Sequence, residues 1–265
     1  MKIKNILILL LALAPFVPTD ALAQDKEPSL KGKKILFVYG GWKGHEPVPH
    51  RDYMVPWMQS EGAEVIVSDS LGIYKDSALM ASLDLVVQLW TMGTIKKEEE
   101  KGLLKAVKNG VGLAGWHGGL GDSFRQNVAY QFMVGGQWVA HPGGVIPYKV
   151  NITDHKDPIT KGLKDFDMKS EQYYMHIDPN VDVLATTTFS GKHGEWFTNC
   201  VVPVVWKKYY GKGRVFFNSI GHVLEHHKVP EAMTMTKRGI RWAAESKHMP
   251  KEEWVKPAYP GARVY

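Results

Sequence analysis

The predicted fold is decided by the stretch Val111-Gly112-Leu113-Ala114-Gly115-Trp116-His117-Gly118-Gly119-Leu120-Gly121-Asp122. Its apolar beginning, 111–114, predicts a short buried strand, and the glycines that follow permit a sharp turn. The spacing Gly-x-His-Gly-Gly is similar to the Gly-x-Ser-x-Gly turn, which raises one side chain above the carboxyl edge of a sheet. We therefore predict that His117 occupies the raised position. A histidine there can act as a base, an acid or a metal ligand, but it is an unusual nucleophile.

The rest of the chain alternates between apolar runs and amphipathic segments. We predict strands at 33–39, 64–68 and 83–90, with helices at 51–61 and 97–109 between and after them. Beyond the central turn we expect a helix over 122–134, a loop over 135–144 and a last helix over 234–245. Near-continuous apolar strands that alternate with helices indicate an α/β fold with a mostly parallel central sheet, covered on both faces.

The two ends of the chain differ in sequence pattern from the predicted domain. Residues 1–23 combine a basic start, a short apolar core and the sequence Ala-Leu-Ala, a pattern typical of a secretory signal peptide. No cysteine directly follows the apolar core at the cleavage site, so we expect no lipid or membrane anchor after cleavage. We predict a secreted, periplasmic protein with one domain over 33–245 and a C-terminal tail over 246–265.

The composition and the spacing of glycines in the loops limit the classes of molecule that the chain is expected to bind. The net charge is +6, but the basic residues are scattered, so we expect no nucleic-acid partner. The first strand runs into the loop Gly40–Pro47, which lacks the glycine spacing of a dinucleotide or P-loop site, so we expect no nucleotide cofactor. The single cysteine, Cys200, precedes an apolar run, and we expect it to be a buried and unreactive thiol.

Candidate site residues gather where strands end in glycine-rich loops. Histidines together with a carboxylate can bind Zn²⁺ or another divalent metal ion, so we consider His45, His117 and His222 as metal ligands. Acid–base chemistry without a metal remains open, with His117, Glu171 and His222 as the catalytic residues. The substrate-binding candidates are Trp42, His45, Trp116, Trp138, His141 and Tyr173. We expect surface or helix-cap positions for His155, His226, His227 and His248.

Six short motifs occur in a recognisable order. They are Gly115-Trp116-His117-Gly118-Gly119, Gly135-Gly136-Gln137-Trp138 with His141-Pro142, Asp157-Pro158-Ile159-Thr160-Lys161-Gly162-Leu163, Glu171-Gln172-Tyr173-Tyr174, Gly211-Lys212-Gly213-Arg214-Val215-Phe216 and Gly221-His222. In this order the chain resembles the ThuA-like (trehalose utilisation) domain family over about 33–244. The resemblance implies a flavodoxin-like three-layer sandwich related to the class I glutamine amidotransferases. It also implies a role in bacterial sugar catabolism.

The resemblance also limits the chemistry. In the amidotransferases the raised residue is a cysteine that a later histidine activates, and Gly221-His222 matches that later histidine. Because His117 replaces the cysteine, thioester chemistry is lost and glutamine hydrolysis is not expected. We predict instead an enzyme that acts on a sugar or a 3-keto-glycoside derivative by acid–base or metal-assisted chemistry. The alternatives are a non-catalytic carbohydrate-binding protein and a metal-dependent hydrolase.

Overall fold

The structure is a computed structural model that describes residues 28–249. The predicted signal peptide, 1–23, and the part of the predicted tail beyond residue 249 lie outside the described residues. Within the described range, no helix is long and apolar enough to cross a membrane.

Strands and helices alternate through the first half of the chain, and strands dominate the second half. The strands are β1 Lys34–Gly41, β2 Glu64–Ser68, β3 Leu85–Thr91, β4 Gly112–Trp116, β5 Gly136–Ala140, β6 Val145–Ile152, β7 Phe166–Glu171, β8 Tyr174–Ile177, β9 Asp182–Thr188, β10 Val201–Tyr210 and β11 Gly213–Asn218. The helices are α1 Pro47–Ser60, α2 Ser77–Ser82, α3 Lys97–Lys108, α4 Gly118–Gly121, α5 Val128–Val134, α6 Leu224–His227 and α7 Pro230–Ala244. Short 3-10 helices occupy Lys43–His45, Leu71–Lys75, Glu195–Phe197 and Ser246–His248.

Nine of these strands form one sheet in the order β2-β1-β3-β4-β11-β10-β9-β6-β7, and β5 pairs with β8 in a separate small sheet. The strands from β2 to β11 in this order are all parallel. The remaining neighbours are antiparallel, so only β10 and β6 run against the common direction. The predicted α/β fold with a mostly parallel central sheet is confirmed.

Both faces of the central parallel strands β1, β3, β4 and β11 are largely buried, whereas the edge strand β2 is partly exposed. Side chains on successive strand residues point to opposite faces, so Ile35 and Phe37 join one core while Leu36 and Val38 join the other. Helices α1 and α7 contribute to the first core, and α3 and α5 contribute to the second. Burying one such apolar side chain contributes roughly 1.5–3 kcal/mol. The two cores therefore hold the sheet between two helical layers, as the three-layer prediction requires.

Two predicted elements and the predicted burial of Cys200 differ from the structure. The helix expected over 122–134 begins only at Val128, because the Asn127 side chain caps it by accepting a hydrogen bond from the Tyr130 N–H at 2.8 Å. The loop expected over 135–144 contains β5, which is a strand through its pairing with β8. Cys200 is half-buried rather than buried.

Candidate metal centre

His117 follows β4 in a strained turn. Its backbone has φ 48° and ψ −141°, a conformation that non-glycine residues rarely adopt. The His117 N–H donates to the Asn218 carbonyl at 2.7 Å on the neighbouring strand, and the Gly121 N–H donates to the His117 carbonyl at 2.9 Å. Backbone strain of this kind costs on the order of 1–3 kcal/mol and is maintained by the surrounding structure. The raised position predicted for His117 is therefore present.

Glu171 reaches the same place from the other end of the sheet. It is the last residue of β7, five strand positions away from β4 in the sheet order. In a flat sheet this separation would be roughly 24 Å, since neighbouring strands lie about 4.8 Å apart. Glu171 Oε2 nevertheless lies 3.0 Å from His117 Nε2. The sheet is therefore strongly curved, and its antiparallel half returns β7 to the carboxyl edge of the parallel half.

Three imidazoles surround this carboxylate. Glu171 Oε2 lies 3.0 Å from His117 Nε2, 3.3 Å from His222 Nδ1 and 3.8 Å from His45 Nε2. One ligand atom from each of the four residues lies within 4.8 Å of all the others. In a tetrahedral zinc site with bonds of about 2.0–2.1 Å, neighbouring ligand atoms are roughly 3.3 Å apart. The four side chains, which we call the four-residue cluster, are therefore close enough together to hold one metal ion.

Hydrogen bonds on the far side of two rings fix how they face the cluster. His117 Nδ1 lies 2.7 Å from the Ser219 carbonyl, which can only accept, so Nδ1 carries the proton. The neutral ring then directs the Nε2 lone pair at the Glu171 carboxylate, and two acceptors 3.0 Å apart need a proton or a cation between them. His45 Nδ1 is held by Thr91 Oγ1 at 2.9 Å. Such outer partners are typical of metal-binding histidines.

The pKa shifts of His117 and Glu171 favour the neutral imidazole and the ionised carboxylate. Burial lowers the pKa of His117 to about 3, although the hydrogen bond to Glu171 acts in the opposite direction. Burial alone would raise the pKa of Glu171, but the nearby imidazoles of His117, His222 and His45 outweigh it and lower that pKa. At neutral pH the site therefore presents a neutral imidazole and an ionised carboxylate, the forms that bind metal.

The side chain of His222 gives a further indication that this site binds a cation. Its Nδ1 atom is buried, has no hydrogen-bond partner and lies 3.3 Å from Glu171 Oε2. An unpartnered nitrogen in a buried site is costly unless another group binds it. The residues present thus fit a divalent metal ion with imidazole and carboxylate ligands.

The predicted substrate-binding residues form a rim beside the cluster. Of the four imidazoles near Glu171, His141 is the most open, with a side chain 39% exposed and Nε2 3.8 Å from Glu171 Oε1. Trp42 is 47% exposed and its ring contacts the edge of His45 at 4.7 Å. Tyr173 is buried and stacks on His117 at 4.0 Å. Of these three residues, Trp42 and His141 have exposed surface and Tyr173 does not.

Trp138 borders the same rim but is partly covered. The Arg125 guanidinium lies 4.3 Å from the centre of its ring, and Asp122 holds that guanidinium through two hydrogen bonds of 2.5 and 2.8 Å. One face of Trp138 is therefore occupied by the chain's own arginine.

The structure corrects the predicted role of Trp116. Its side chain is fully buried and packs 6.3 Å from Phe37 in the core beneath α1 and α7, so the prediction that it contacts substrate is wrong. The cause is strand alternation, because Trp116 and Ala114 point to the same face of β4. His227 was expected at the surface or at a cap, but it is fully buried.

Sequence reasoning also missed three positioning groups. Thr91 orients His45, the Ser219 carbonyl orients His117, and Arg125 covers Trp138. Thr91 could have been found, because it ends β3 at the carboxyl edge of the sheet. The other two depend on loop geometry and on a backbone atom, for which the sequence gives no signal.

Known proteins share this architecture. A putative ThuA-like protein from Bacteroides uniformis superimposes with a TM-score of 0.67 at 15% identity, covering 83% of this chain and 94% of that one. A putative ThuA-like protein from Parabacteroides merdae gives a TM-score of 0.66 at 19% identity, covering 85% and 92%. A cytoplasmic protein from Salmonella typhimurium gives 0.56 at 15% identity, covering 82% and 100%. At these identities the likeness concerns the fold alone.

The sequence comparison is more specific. Among curated proteins, none matches the chain. The family model for ThuA, described as trehalose utilisation, matches residues 34–243, most of the chain and nearly all of the described domain. The chain therefore belongs to the ThuA family, which gives it a carbohydrate-related role.

Proposed function

We propose that the protein is a metal-dependent enzyme that acts on a sugar derivative containing a carbonyl group, such as a 3-keto-glycoside. The observation that carries the proposal is the four-residue cluster, in which three imidazole nitrogens face one carboxylate oxygen and His222 Nδ1 has no hydrogen-bond partner. His45, His117, His222 and Glu171 would hold a divalent ion such as zinc. When bound, such an ion supplies Lewis-acid stabilisation of negative charge on a substrate oxygen.

The chain's own residues account for binding and proton transfer. Trp42 presents an exposed indole against which the apolar face of a sugar ring can pack. His117 is covered by Tyr173 and is 1% exposed, so it cannot reach a substrate carbon while it serves as a ligand. We assign proton transfer to His141 Nε2, which lies on the open side of the cluster. The reaction class is removal and return of a proton on the carbon beside the carbonyl, as in isomerisation, hydration or elimination.

A second candidate is metal-free acid–base catalysis by His117 and Glu171. The 3.0 Å separation of His117 Nε2 and Glu171 Oε2 favours it, because a shared proton satisfies that geometry as well as a cation does. The lowered pKa of Glu171 argues against its use as the general acid at neutral pH. A non-catalytic carbohydrate-binding protein and a metal-dependent hydrolase are the remaining alternatives.

Metal analysis separates the first two candidates. We expect about one equivalent of zinc per chain after incubation with Zn²⁺ and dialysis, and little in a His222→Ala variant. His155→Ala is the matched control, because His155 is exposed and lies outside the cluster. Zinc-free wild-type protein, or equal zinc in all three proteins, would refute the metal centre.

Isotope exchange separates an enzyme from a binding protein. In D₂O, a 3-keto-disaccharide probe should exchange the hydrogen beside its carbonyl when the zinc-loaded protein is added, as NMR would detect. His141→Gln should retain zinc and lose most of the exchange. Binding of the probe without exchange or turnover would contradict proton transfer and support the carbohydrate-binding alternative. Hydrolysis products without exchange would support the hydrolase.

Export remains part of the proposal. It is supported by the signal-peptide pattern of residues 1–23, and small carbohydrates are the partners that the family suggests. Mass spectrometry of the protein from its native cells tests it. A mature N-terminus within about two residues of Gln24 is expected, and an intact N-terminus in the cytoplasm would contradict export.

A further inference from the structure

A second group of nitrogen-bearing rings lies behind the metal centre. It consists of His50, Trp116 and His227, all fully buried, and we call it the rear cluster. The three ring centroids are 5.0–5.5 Å apart. Each ring has one buried nitrogen without a hydrogen-bond partner, namely His50 Nε2, Trp116 Nε1 and His227 Nδ1. Since buried polar atoms are normally paired, three unpartnered nitrogens in contacting rings indicate a bound partner.

The hydrogen-bonding role of each of these three nitrogens is fixed by the other bonds of its ring or by its chemistry. Trp116 Nε1 carries a hydrogen and can only donate. His50 Nδ1 lies 3.1 Å from the Glu46 carbonyl, so the proton is on Nδ1 and Nε2 can only accept in the neutral ring. Burial lowers the pKa of His50 to about 4, which keeps the ring neutral at pH 7. His227 Nε2 lies 2.8 Å from Thr236 Oγ1, whose hydroxyl donates to the Ala232 carbonyl at 3.1 Å, so Nε2 carries the proton and His227 Nδ1 can only accept.

These roles select the ligand. A cation would face the N–H of Trp116, and an anion would face the lone pair of His50. The partner must donate two hydrogen bonds and accept one, must be small, and must have no net charge. Water meets all three conditions, and buried waters typically make about three hydrogen bonds. We propose that the rear cluster binds one buried water molecule, which accepts from Trp116 Nε1 and donates to His50 Nε2 and His227 Nδ1.

The rear cluster is tied to the metal centre through the chain. Trp116 directly precedes His117, while His50 and His227 each lie five residues after a ligand histidine, His45 or His222. The backbone packs closely here, since a Cβ atom added to Gly221 would lie 2.6 Å from Trp116 Cδ1. A water shared by the three rings therefore joins the three segments that carry the imidazole ligands. In this role, which rests on the proposed metal centre, the three residues are positioning residues.

Crystallography tests the water directly and without reference to the metal. In crystals of the metal-free wild-type protein at high resolution, we expect one ordered water about 2.7–3.2 Å from each of the three nitrogens. Absence of such a water, or direct hydrogen bonds between the rings themselves, would overturn the proposal.

Two matched variants test the positioning role. Trp116→Phe removes the donor of the rear cluster, whereas Trp206→Phe removes a buried indole N–H that is paired with the Val134 carbonyl at 3.0 Å. Calorimetric titration with Zn²⁺ should show affinity about 10–100-fold lower for Trp116→Phe and unchanged for Trp206→Phe, with circular dichroism confirming that both fold. Equal losses in the two variants would overturn the positioning role. A wild-type protein that binds no zinc would refute the metal centre and this role, while the crystallographic test of the water stands.

Discussion

Lowering the pH from 7 to 5 should destabilise the metal-free protein through its buried histidines. Burial lowers the pKa of His117 from 6.5 to about 3 and that of His50 from 6.5 to about 4. Between these values and 6.5 the unfolded chain binds protons that the folded chain does not, so stability rises with pH in this window. The stability that depends on these neutral histidines is fully present above about pH 6.5 and is lost as the pH falls below that value.

The size of the loss follows from the same pKa values. At pH 7 each imidazole of the unfolded chain is about one-quarter protonated, and at pH 5 it is almost fully protonated. Integrating the difference gives about 2 kcal/mol per histidine, or about 4 kcal/mol for His50 and His117 together. The pKa of His227 is also lowered by burial, so it adds a loss of the same sign.

Urea unfolding of the EDTA-treated protein at pH 7 and pH 5 measures this loss. Wild-type protein should lose at least about 4 kcal/mol, and His50→Leu should lose about 2 kcal/mol less than wild type. His155→Gln is the control and should match wild type, because His155 is exposed. Stability that is unchanged or greater at pH 5 would refute the reasoning, because it would mean that the buried imidazoles carry protons, as in an ion pair with Glu171.

Two further substitutions test the site. Gly118→Ala should weaken zinc binding about 10–100-fold in calorimetry, because the new Cβ would lie 2.4 Å from His45 Nδ1 and displace that ring from Thr91. Gly72→Ala, whose Cβ would meet only the Ser70 hydroxyl at 3.2 Å and a lysine tip, should leave zinc binding unchanged, and equal effects would argue against His45 as a ligand. Trp42→Ala should weaken binding of a 3-keto-disaccharide about 5–10-fold in fluorescence titration, since a lost sugar–aromatic contact costs on the order of 1 kcal/mol. An unchanged affinity would exclude Trp42 from the substrate site.

The parallel half of the fold and part of the site could be predicted from local patterns. Continuous apolar runs identified β1, β3 and β4, and the glycines around His117 identified the sharp turn. Because parallel strands end at the same edge, histidines that follow β1, β4 and β11 were expected to converge, and they do.

The position of Glu171 could not be predicted in the same way. It depends on four antiparallel strands whose pairing is non-local, and on the curvature that returns β7 to the parallel strands. Trp116 shows a different limit, because strand alternation places it in the core although it is adjacent to His117. His227 appeared polar and exposed in the sequence, but Thr236 gives it a buried hydrogen bond that only the packing of α6 and α7 creates.

The most direct test of the metal centre is anomalous diffraction from crystals of the zinc-loaded protein. We predict one peak at the zinc edge, bonded at about 2.0–2.2 Å to nitrogens of His45, His117 and His222 and to an oxygen of Glu171. No peak at this position, or zinc bound elsewhere while His117 Nε2 stays hydrogen-bonded to Glu171, would contradict the account and leave metal-free acid–base chemistry in its place.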